Sequence, residues 1–285
     1  MHPRFVAARL AVAALLSVAA CGSSSGAGGV DAATDAGADD APPAGDAAGR
    51  AVIEIYVAGD LTPKTFTDGA SGETPLSYTM GLSRFDLLRS AADPAPVTVF
   101  DHGPDWVELN LLDTSLAGSV ATASLPAGTY THARVLLSMA RCAVAATAHL
   151  GTASIPGTFT ITGAFRDTTI DGTPLTHGQA RYAFEALGQT QSSGGALPPL
   201  PSTPGGTVVT DASGTWLVFQ LPQPLPIDPT SPATHRATIT YEVYESFRWQ
   251  DQATAGFADG VFDLTATAAE PVVSFGATGY RIEAE

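Results

Sequence analysis

The sequence predicts an all-β protein, an antiparallel sandwich with Pro-rich loops that follows a signal peptide and a disordered linker. Three observations predict this class. Apolar and polar residues alternate in many short runs, as they do in half-buried strands. Clusters of Gly, Pro and Asp, which favour turns, separate these runs. Only residues 134–150 offer a long apolar run without a Gly or Pro breaker.

Residues 1–20 have the layout of a secretory signal peptide. Arg4 and Arg9 make the first residues basic, and residues 10–20 are apolar and rich in Ala and Leu. This apolar stretch is shorter than the about 20 residues that a membrane-spanning helix needs. We therefore expect residues 1–20 to be removed during export.

Cys21 directly follows the small residues Val18, Ala19 and Ala20. The sequence VAAC resembles the lipobox of bacterial lipoproteins, in which the cysteine receives a diacylglyceryl group and becomes the new N-terminus. The resemblance implies that Cys21 is the lipidation site, because two or more acyl chains hold a protein stably at a membrane. Gly22 favours the outer membrane under the sorting rule of Gram-negative lipoproteins. Ordinary cleavage that leaves a free cysteine is the alternative.

Residues 21–50 are predicted to be a disordered linker. Segment 22–49 contains five aspartates, no aromatic residue and no Lys or Arg. Such a composition cannot bury enough apolar surface to offset the entropy of the chain. The aspartates do not follow the D-x-[DN]-x-[DN]-G pattern of a calcium loop. We expect an acidic spacer between the anchor and the folded region.

The predicted strands are clearest near the two ends of the folded region. In the run AVIEIYV, Ile55 and Val57 continue one face of a strand. In the run ATITYEVYESF, Ile239, Tyr241 and Val243 point to one side. Further runs of this kind are SYTMGLSRFDLL, VTVF, WVELNLL, TYTHARVLLS, GTFTITGAF, RYAFEAL, TVVT, TWLVFQL, GVFDLTATA and PVVSF.

Three segments leave details of the architecture open. Residues 134–150 fit either two short strands or one helix, and the β-type alternation before them favours the strands. The Pro-rich stretches 196–206 and 221–232 are predicted to be long surface loops, because proline does not fit central strands. We expect residues 51–285 to form one β-sandwich domain, with a candidate internal boundary near residues 190–206.

The order WVELNLLDTSL, then SLPAGTYTHARVLL, resembles a signature of bacterial lipoproteins that carry a domain of unknown function. Residues 125–130 (LPAGTY) carry most of the match: Pro and Gly form a tight turn, and Thr and Tyr open the next strand. The resemblance covers residues 51–140. It implies a prealbumin/transthyretin-like or Ig-like sandwich at the cell envelope, and it brings no enzymatic activity with it.

The net charge of the chain limits the classes of partner that it can bind. The net charge is −15 at pH 7, and Lys64 is the single lysine. Nucleic-acid binding relies on Lys and Arg that neutralise phosphates, so we expect no nucleic-acid partner. Membrane lipid, reached through acylated Cys21, is the expected partner. A glycan or an envelope protein is the candidate second partner.

No enzyme signature stands out in the chain. No segment has the G-x-S-x-G turn of serine hydrolases between a predicted strand and a helix, and the H-E-x-x-H metal motif is missing from the sequence. Cys142 lies among small apolar residues, which suits a buried packing role better than a nucleophile. Asp101 and Asp105 can serve as the carboxylate pair of a glycosidase, but turn formation is the more ordinary role of loop aspartates. We expect no enzyme, and a hydrolase is the weakest alternative.

Scattered metal-binding side chains suggest an alternative function, a periplasmic copper- or zinc-binding lipoprotein. The histidines that folding would have to gather are His102, His132, His149 and His177. Two aspartate pairs have a spacing compatible with calcium, Asp167 with Asp171 and Asp259 with Asp263. Each pair lacks further ligands, so we expect neither a metal site nor a cofactor.

Five aromatic residues suggest another alternative, a carbohydrate-binding surface protein. The side chains that can form a platform for sugar rings are Trp106, Trp216, Trp249, Tyr241 and Tyr244. Large aromatic residues at alternating strand positions more often pack in the core. The preferred prediction is a lipid-anchored, extracytoplasmic cell-envelope protein, which acts as a non-catalytic binding or structural module.

Overall fold

The computed structural model describes residues 51–201 and 205–285, which form strands, turns and one short 3₁₀ turn at Thr122–Ser124. In chain order the strands are β1 (Val52–Asp60), β2 (Ser71–Glu73), β3 (Ser77–Leu88), β4 (Val97–Asp101), β5 (Val107–Asn110), β6 (Ser115–Ala121), β7 (Gly128–Leu150), β8 (Ala153–Ala164), β9 (Thr168–Ile170), β10 (Thr173–Leu175), β11 (Gln179–Ala186), β12 (Gln189–Ala196), β13 (Gly206–Asp211), β14 (Gly214–Ile227), β15 (His235–Glu242), β16 (Phe247–Trp249), β17 (Asp263–Thr265), β18 (Val272–Phe275) and β19 (Tyr280–Ala284). Within the described residues, no helix is long and apolar enough to cross a membrane.

The strands form stacked sheets, which confirms the predicted all-β, sandwich-like class. The largest sheet has ten strands, with the order β12-β11-β8-β7-β14-β13 and with β3, β4, β5 and β17 attached to it. A four-stranded sheet has the order β19-β15-β1-β6, and a three-stranded sheet has the order β18-β16-β2. Most neighbouring strands are antiparallel, whereas β1 with β15 and β17 with β7 are parallel pairs.

The alternating runs predicted from sequence place their apolar faces in the core. Ile55 and Val57 of β1 are completely buried, and so are Ile239 and Tyr241 of β15. These side chains belong to one continuous buried cluster, which includes residues on both sides of segment 190–206. The assignment of residues 51–285 to one domain stays a prediction.

Strand β7 is the longest element and the centre of the large sheet. Residues 134–150 lie within this single strand of 23 residues, so the preference for strand is confirmed and the division into two short strands is wrong. Strands β3, β8, β14 and β17 all pair with β7. Both faces of β7 are covered along much of its length, which removes the alternation that normally identifies a strand.

The second Pro-rich stretch contains the clearest error of the sequence prediction. Residues 221–227 belong to β14, and only residues 228–232 form the expected loop. The pairing of β14 with β7 shifts register between Gln220 and Leu225. On its other side, β14 pairs with β13 only up to Phe219. Proline, which has no backbone N–H, fits at these positions of β14 because the backbone makes no strand-pairing hydrogen bond at the bulge or on the side that faces away from β7.

The predicted terminal segments and one loop tip fall outside the described residues. These are the signal peptide (1–20), the lipidation site Cys21, the linker (21–50) and residues 202–204 of the first Pro-rich loop. The described part of that loop, residues 197–201, follows β12 without regular structure, as expected.

Candidate functional site

Most residues of the predicted aromatic platform lie inside the protein. Trp249 and Tyr241 are at most 1% exposed, and Trp216 is also buried. The Trp249 ring packs edge-on against Phe262, with their ring centres 5.6 Å apart. The prediction of a sugar-binding platform is therefore wrong for these three residues, because their rings are buried in the sandwich and cannot contact a sugar. Trp106 is half-buried.

The structure does not gather the four predicted histidine ligands. His102 packs on Phe100, with 5.2 Å between ring centres, and His177 contacts the Thr215 hydroxyl through Nε2 at 2.9 Å. The described residues contain no group of three or more His, Cys, Asp or Glu side chains that could hold a metal ion. The histidine-based copper or zinc site is wrong for this part of the chain.

The predicted aspartate pairs have separate structural roles. Asp101 Oδ1 accepts a hydrogen bond from the Gly103 N–H at 2.8 Å, which forms a turn. Asp167 Oδ1 accepts from the His177 N–H, which joins two loop positions. Asp171 pairs with Arg141 of β7 and Arg181 of β11, which fixes its turn to the large sheet.

Cys142 has the packing role predicted for it. Its thiol is free, and the residue is buried on β7. Burial raises the pKa of this thiol well above its usual value, and the nearby Glu73 carboxylate adds to the rise. A thiol that resists ionisation is a poor nucleophile. Cys142 therefore behaves as a small apolar side chain.

A different set of polar side chains meets where β7, β8 and β17 come together. β7 and β8 are joined by a tight turn, and their pairing places His149 directly opposite Ser154. β17 runs parallel to the end of β7, and its first residue, Asp263, lies beside Thr147. The sheet therefore brings together a histidine, a serine and an aspartate. We call Ser154, His149 and Asp263 the hydroxyl–imidazole–carboxylate cluster.

The three side chains of this cluster form a continuous hydrogen-bond chain. Ser154 Oγ lies 3.0 Å from His149 Nδ1, and His149 Nε2 lies 2.8 Å from Asp263 Oδ1. Burial increases from the serine to the aspartate: Ser154 is exposed, the His149 side chain is 13% exposed and the Asp263 side chain is 1% exposed. The imidazole is therefore held between a buried carboxylate and a hydroxyl that solvent can reach.

Further hydrogen bonds fix the buried carboxylate. Asp263 Oδ2 accepts from the Ala258 N–H at 2.7 Å, and the Asp263 N–H donates to Glu270 Oε2 at 2.9 Å. Glu270 Oε1 accepts from the Gln252 N–H at 2.8 Å. Burial raises the pKa of Glu270 above its usual value. These contacts hold the loop 250–262 against the cluster.

The same loop places an aromatic ring beside the imidazole. The centre of the Phe257 ring lies 5.2 Å from that of His149. Gly256 has a positive φ of 95°, a backbone conformation that favours glycine. A methyl group at Gly256 would lie 3.6 Å from His149 Nδ1. The main chain therefore passes close to the hydrogen-bonded nitrogen at a position without a side chain.

A groove of about 430 Å³ lies elsewhere on the surface. Phe66, Asp68, Arg248 and Gln250 are among its lining residues. The Arg248 guanidinium packs over the Phe66 ring at 4.0 Å and donates two hydrogen bonds to Asp68. The groove offers one aromatic ring together with amide, carboxylate and guanidinium groups.

Sequence reasoning missed Ser154 and the role of Asp263. The stretch HLGTAS contains a hairpin signal, because Gly151 suits a turn between paired residues. Pairing across that turn could have placed Ser154 opposite His149. No local signal links Asp263 to His149, since 114 residues separate them.

Comparisons with protein-family models, with curated proteins and with solved structures gave no match.

Proposed function

We propose that this chain is a lipid-anchored protein of the bacterial cell envelope, held at the membrane by acyl groups on Cys21. The observation that carries the proposal is the order of features in the N-terminal sequence. A basic start, a short apolar segment, the small residues VAA and a cysteine are followed by an acidic, Gly- and Ala-rich stretch. The proposed location is the extracytoplasmic side of the envelope, at the outer membrane.

The folded region fits a binding or structural module in that location. Its primary role requires no catalysis, and its partners are a glycan or an envelope protein rather than nucleic acid. The net charge of −15 supports the exclusion of nucleic acid. Several arginines are already paired with carboxylates: Arg84 and Arg134 with Asp86, Arg248 with Asp68, and Arg281 with Asp60. Paired arginines have little free charge to offer to phosphates.

The groove beside Arg248 favours a glycan among these partners. Sugar-binding grooves combine an aromatic ring with directional polar groups, and Phe66, Asp68 and Gln250 provide this combination. A glycan array tests the idea with the wild-type protein and with Gln250→Ala. We expect the wild-type protein to bind and the variant to bind more weakly. Equal binding by both proteins would place the ligand elsewhere.

A change of the proposed lipidation site tests the anchor. The chain contains two cysteines, Cys21 and Cys142. We expect Cys21→Ser to lose its lipid and to move from the membrane fraction to the soluble fraction of bacteria that produce it. Cys142→Ala is the matched control, and we expect it to stay with the membrane. The proposal fails if Cys21→Ser remains membrane-bound to the same extent as the control.

A further inference from the structure

The hydroxyl–imidazole–carboxylate cluster has the arrangement that a nucleophilic serine requires. Such a serine needs a base within hydrogen-bond distance, and the base needs a third group that orients it. His149 lies 3.0 Å from the Ser154 hydroxyl, and Asp263 lies 2.8 Å from the other side of the imidazole. We propose that Ser154 is a catalytic nucleophile that cleaves small, uncharged carboxylic esters, an activity beyond the proposed binding or structural role.

The hydrogen-bonding capacities of the groups assign a role to each nitrogen. An ionised carboxylate only accepts hydrogen bonds, so Nε2 of His149 carries the hydrogen that it donates to Asp263. In the neutral imidazole, Nδ1 is then left with a free lone pair. This lone pair accepts the hydrogen bond from the Ser154 Oγ–H. Nδ1 is therefore the base, and Asp263 fixes both the tautomer and the orientation of the ring.

The supporting structure keeps the reacting groups in place. His149 and Ser154 lie on paired strands of the large sheet, and Asp263 lies on a third strand of the same sheet. The Ala258 N–H donates a hydrogen bond to the Asp263 carboxylate, and the Asp263 N–H donates to Glu270, which holds the main chain at this position. Side chains on strands are positioned more accurately than side chains on loops, which favours a preorganised base.

The proposed reaction needs only the ester and water. Ser154 Oγ forms a bond to the ester carbonyl carbon while its proton moves to His149 Nδ1. The bond from this carbon to the alcohol oxygen breaks, and Nδ1 returns the proton to the leaving alkoxide. A water molecule then attacks the acyl carbon and gives a proton to Nδ1, and this proton returns to Ser154 as the acyl–Oγ bond breaks. One ester and one water become one carboxylic acid and one alcohol.

The surroundings of Ser154 indicate the substrate class. Ser154 is exposed, so a substrate can reach it without opening the core. Phe257 provides an apolar surface beside His149, and Gly256 leaves space next to Nδ1. The negative charge of the protein disfavours anionic esters. These features favour a neutral ester with a small acyl group.

The experiment combines covalent labelling with hydrolysis of p-nitrophenyl acetate. A fluorophosphonate probe is added to the purified full-length protein, and the labelled residue is identified by peptide mass spectrometry. We expect the label on Ser154. We also expect Ser154→Ala to lose both the label and the hydrolysis, and His149→Gln to lower the hydrolysis rate by at least about 100-fold, the usual minimum for a general base. Ser154 is exposed, so its replacement by Ala should leave the circular dichroism spectrum unchanged.

The matched control is Ser192→Ala, which removes an exposed serine hydroxyl from β12. We expect this variant to label and hydrolyse like the wild type. Free imidazoles also cleave activated esters slowly, so hydrolysis alone does not identify the nucleophile. A label on Ser154 shows that the serine attacks, whereas hydrolysis without this label indicates direct cleavage by an imidazole. Equal labelling of Ser154 and Ser192, or a wild-type hydrolysis rate in Ser154→Ala, would overturn the proposal. The cluster would then serve only to hold the loop 250–262.

Discussion

At the scale of single residues, Asp86 shows how the large sheet accommodates a buried charge. Its side chain is completely buried on β3, and it accepts hydrogen bonds from Arg84 Nε at 2.7 Å and Arg134 Nε at 2.8 Å. The Thr98 hydroxyl donates another hydrogen bond to it. The Arg134 guanidinium also packs over the Trp216 ring at 4.1 Å. One carboxylate therefore holds two cations against the face of the sheet.

Removal of that carboxylate should destabilise the fold. Asp86→Ala leaves two guanidinium groups facing each other without their shared acceptor. Loss of one partner of a buried ion pair costs about 3–5 kcal/mol, and we expect about 3 kcal/mol because both arginines keep some contact with water. Urea unfolding measures the change. The exposed Asp105→Ala is the control, with an expected effect within about 0.5 kcal/mol. Equal stability of the two variants would contradict this role of Asp86.

Asp68 gives a prediction about acid stability. The hydrogen bonds from Arg248 lower the pKa of Asp68 below its usual value of 3.8. A carboxyl group with a lowered pKa in the folded state stabilises the fold above its unfolded-state pKa, and this contribution is lost as the pH falls through its folded-state value. Asn cannot change its charge. We therefore expect Asp68→Asn to be less stable than the wild type at neutral pH.

Unfolding midpoints at about pH 7 and about pH 3 test the sign of this effect. The wild-type protein should lose more stability between the two pH values than Asp68→Asn does, because only the wild type can protonate this carboxylate. Asp105→Asn is the matched control, and its loss should equal that of the wild type. If Asp68→Asn loses as much stability as the wild type between the two pH values, the Arg248–Asp68 pair does not contribute to the stability of the fold.

At the scale of elements, Gly59 lies where β1 passes close to the chain that follows β5. A Cβ atom at this position would lie 1.7 Å from the carbonyl oxygen of Leu111. Because the obstacle is backbone, it cannot move aside as a flexible side chain can. We expect Gly59→Ala to destabilise the protein by about 3 kcal/mol, the upper part of the usual range for overpacking.

Gly194 on β12 provides the matched control for Gly59. It also lies in a strand, and the nearest atom to an added Cβ is 4.0 Å away. Gly194→Ala should therefore change the free energy of unfolding by no more than about 0.5 kcal/mol. Thermal or urea unfolding of both variants gives the comparison. Similar stability of Gly59→Ala and Gly194→Ala would mean that β1 can move away from Leu111 at little cost.

The elements also show what the sequence can predict and where it fails. The faces of β1 and β15 follow from alternation, because each strand has one buried face. Residues 134–150 of β7 lack this signal, since neighbours cover both faces of this part of the strand. The prolines of β14 argue against a strand until the partner strands are known. The Asp263–His149 contact depends on pairing between distant strands, so local patterns do not reveal it.

At the scale of the whole molecule, the proposed lipid anchor would tether an acidic β-sandwich to the membrane. The net charge of −15 disfavours direct attraction to anionic lipid, so the proposed acyl chains would have to provide the attachment. The segment between Cys21 and residue 50 would then set the distance between the membrane and the folded region. If this segment is disordered, as its composition predicts, its root-mean-square length would be about 30 Å, which would leave the surfaces of the sandwich accessible to partners.

The mass of the mature N-terminal peptide is the sharpest test of the proposed lipid anchor. The protein is purified from bacterial membranes with mild detergent, digested, and analysed by mass spectrometry. We predict that the first residue is Cys21 and that its mass includes a diacylglyceryl group. A Cys21 without added mass, or a peptide that still contains residues 1–20, would show that the protein is not lipid-anchored through Cys21.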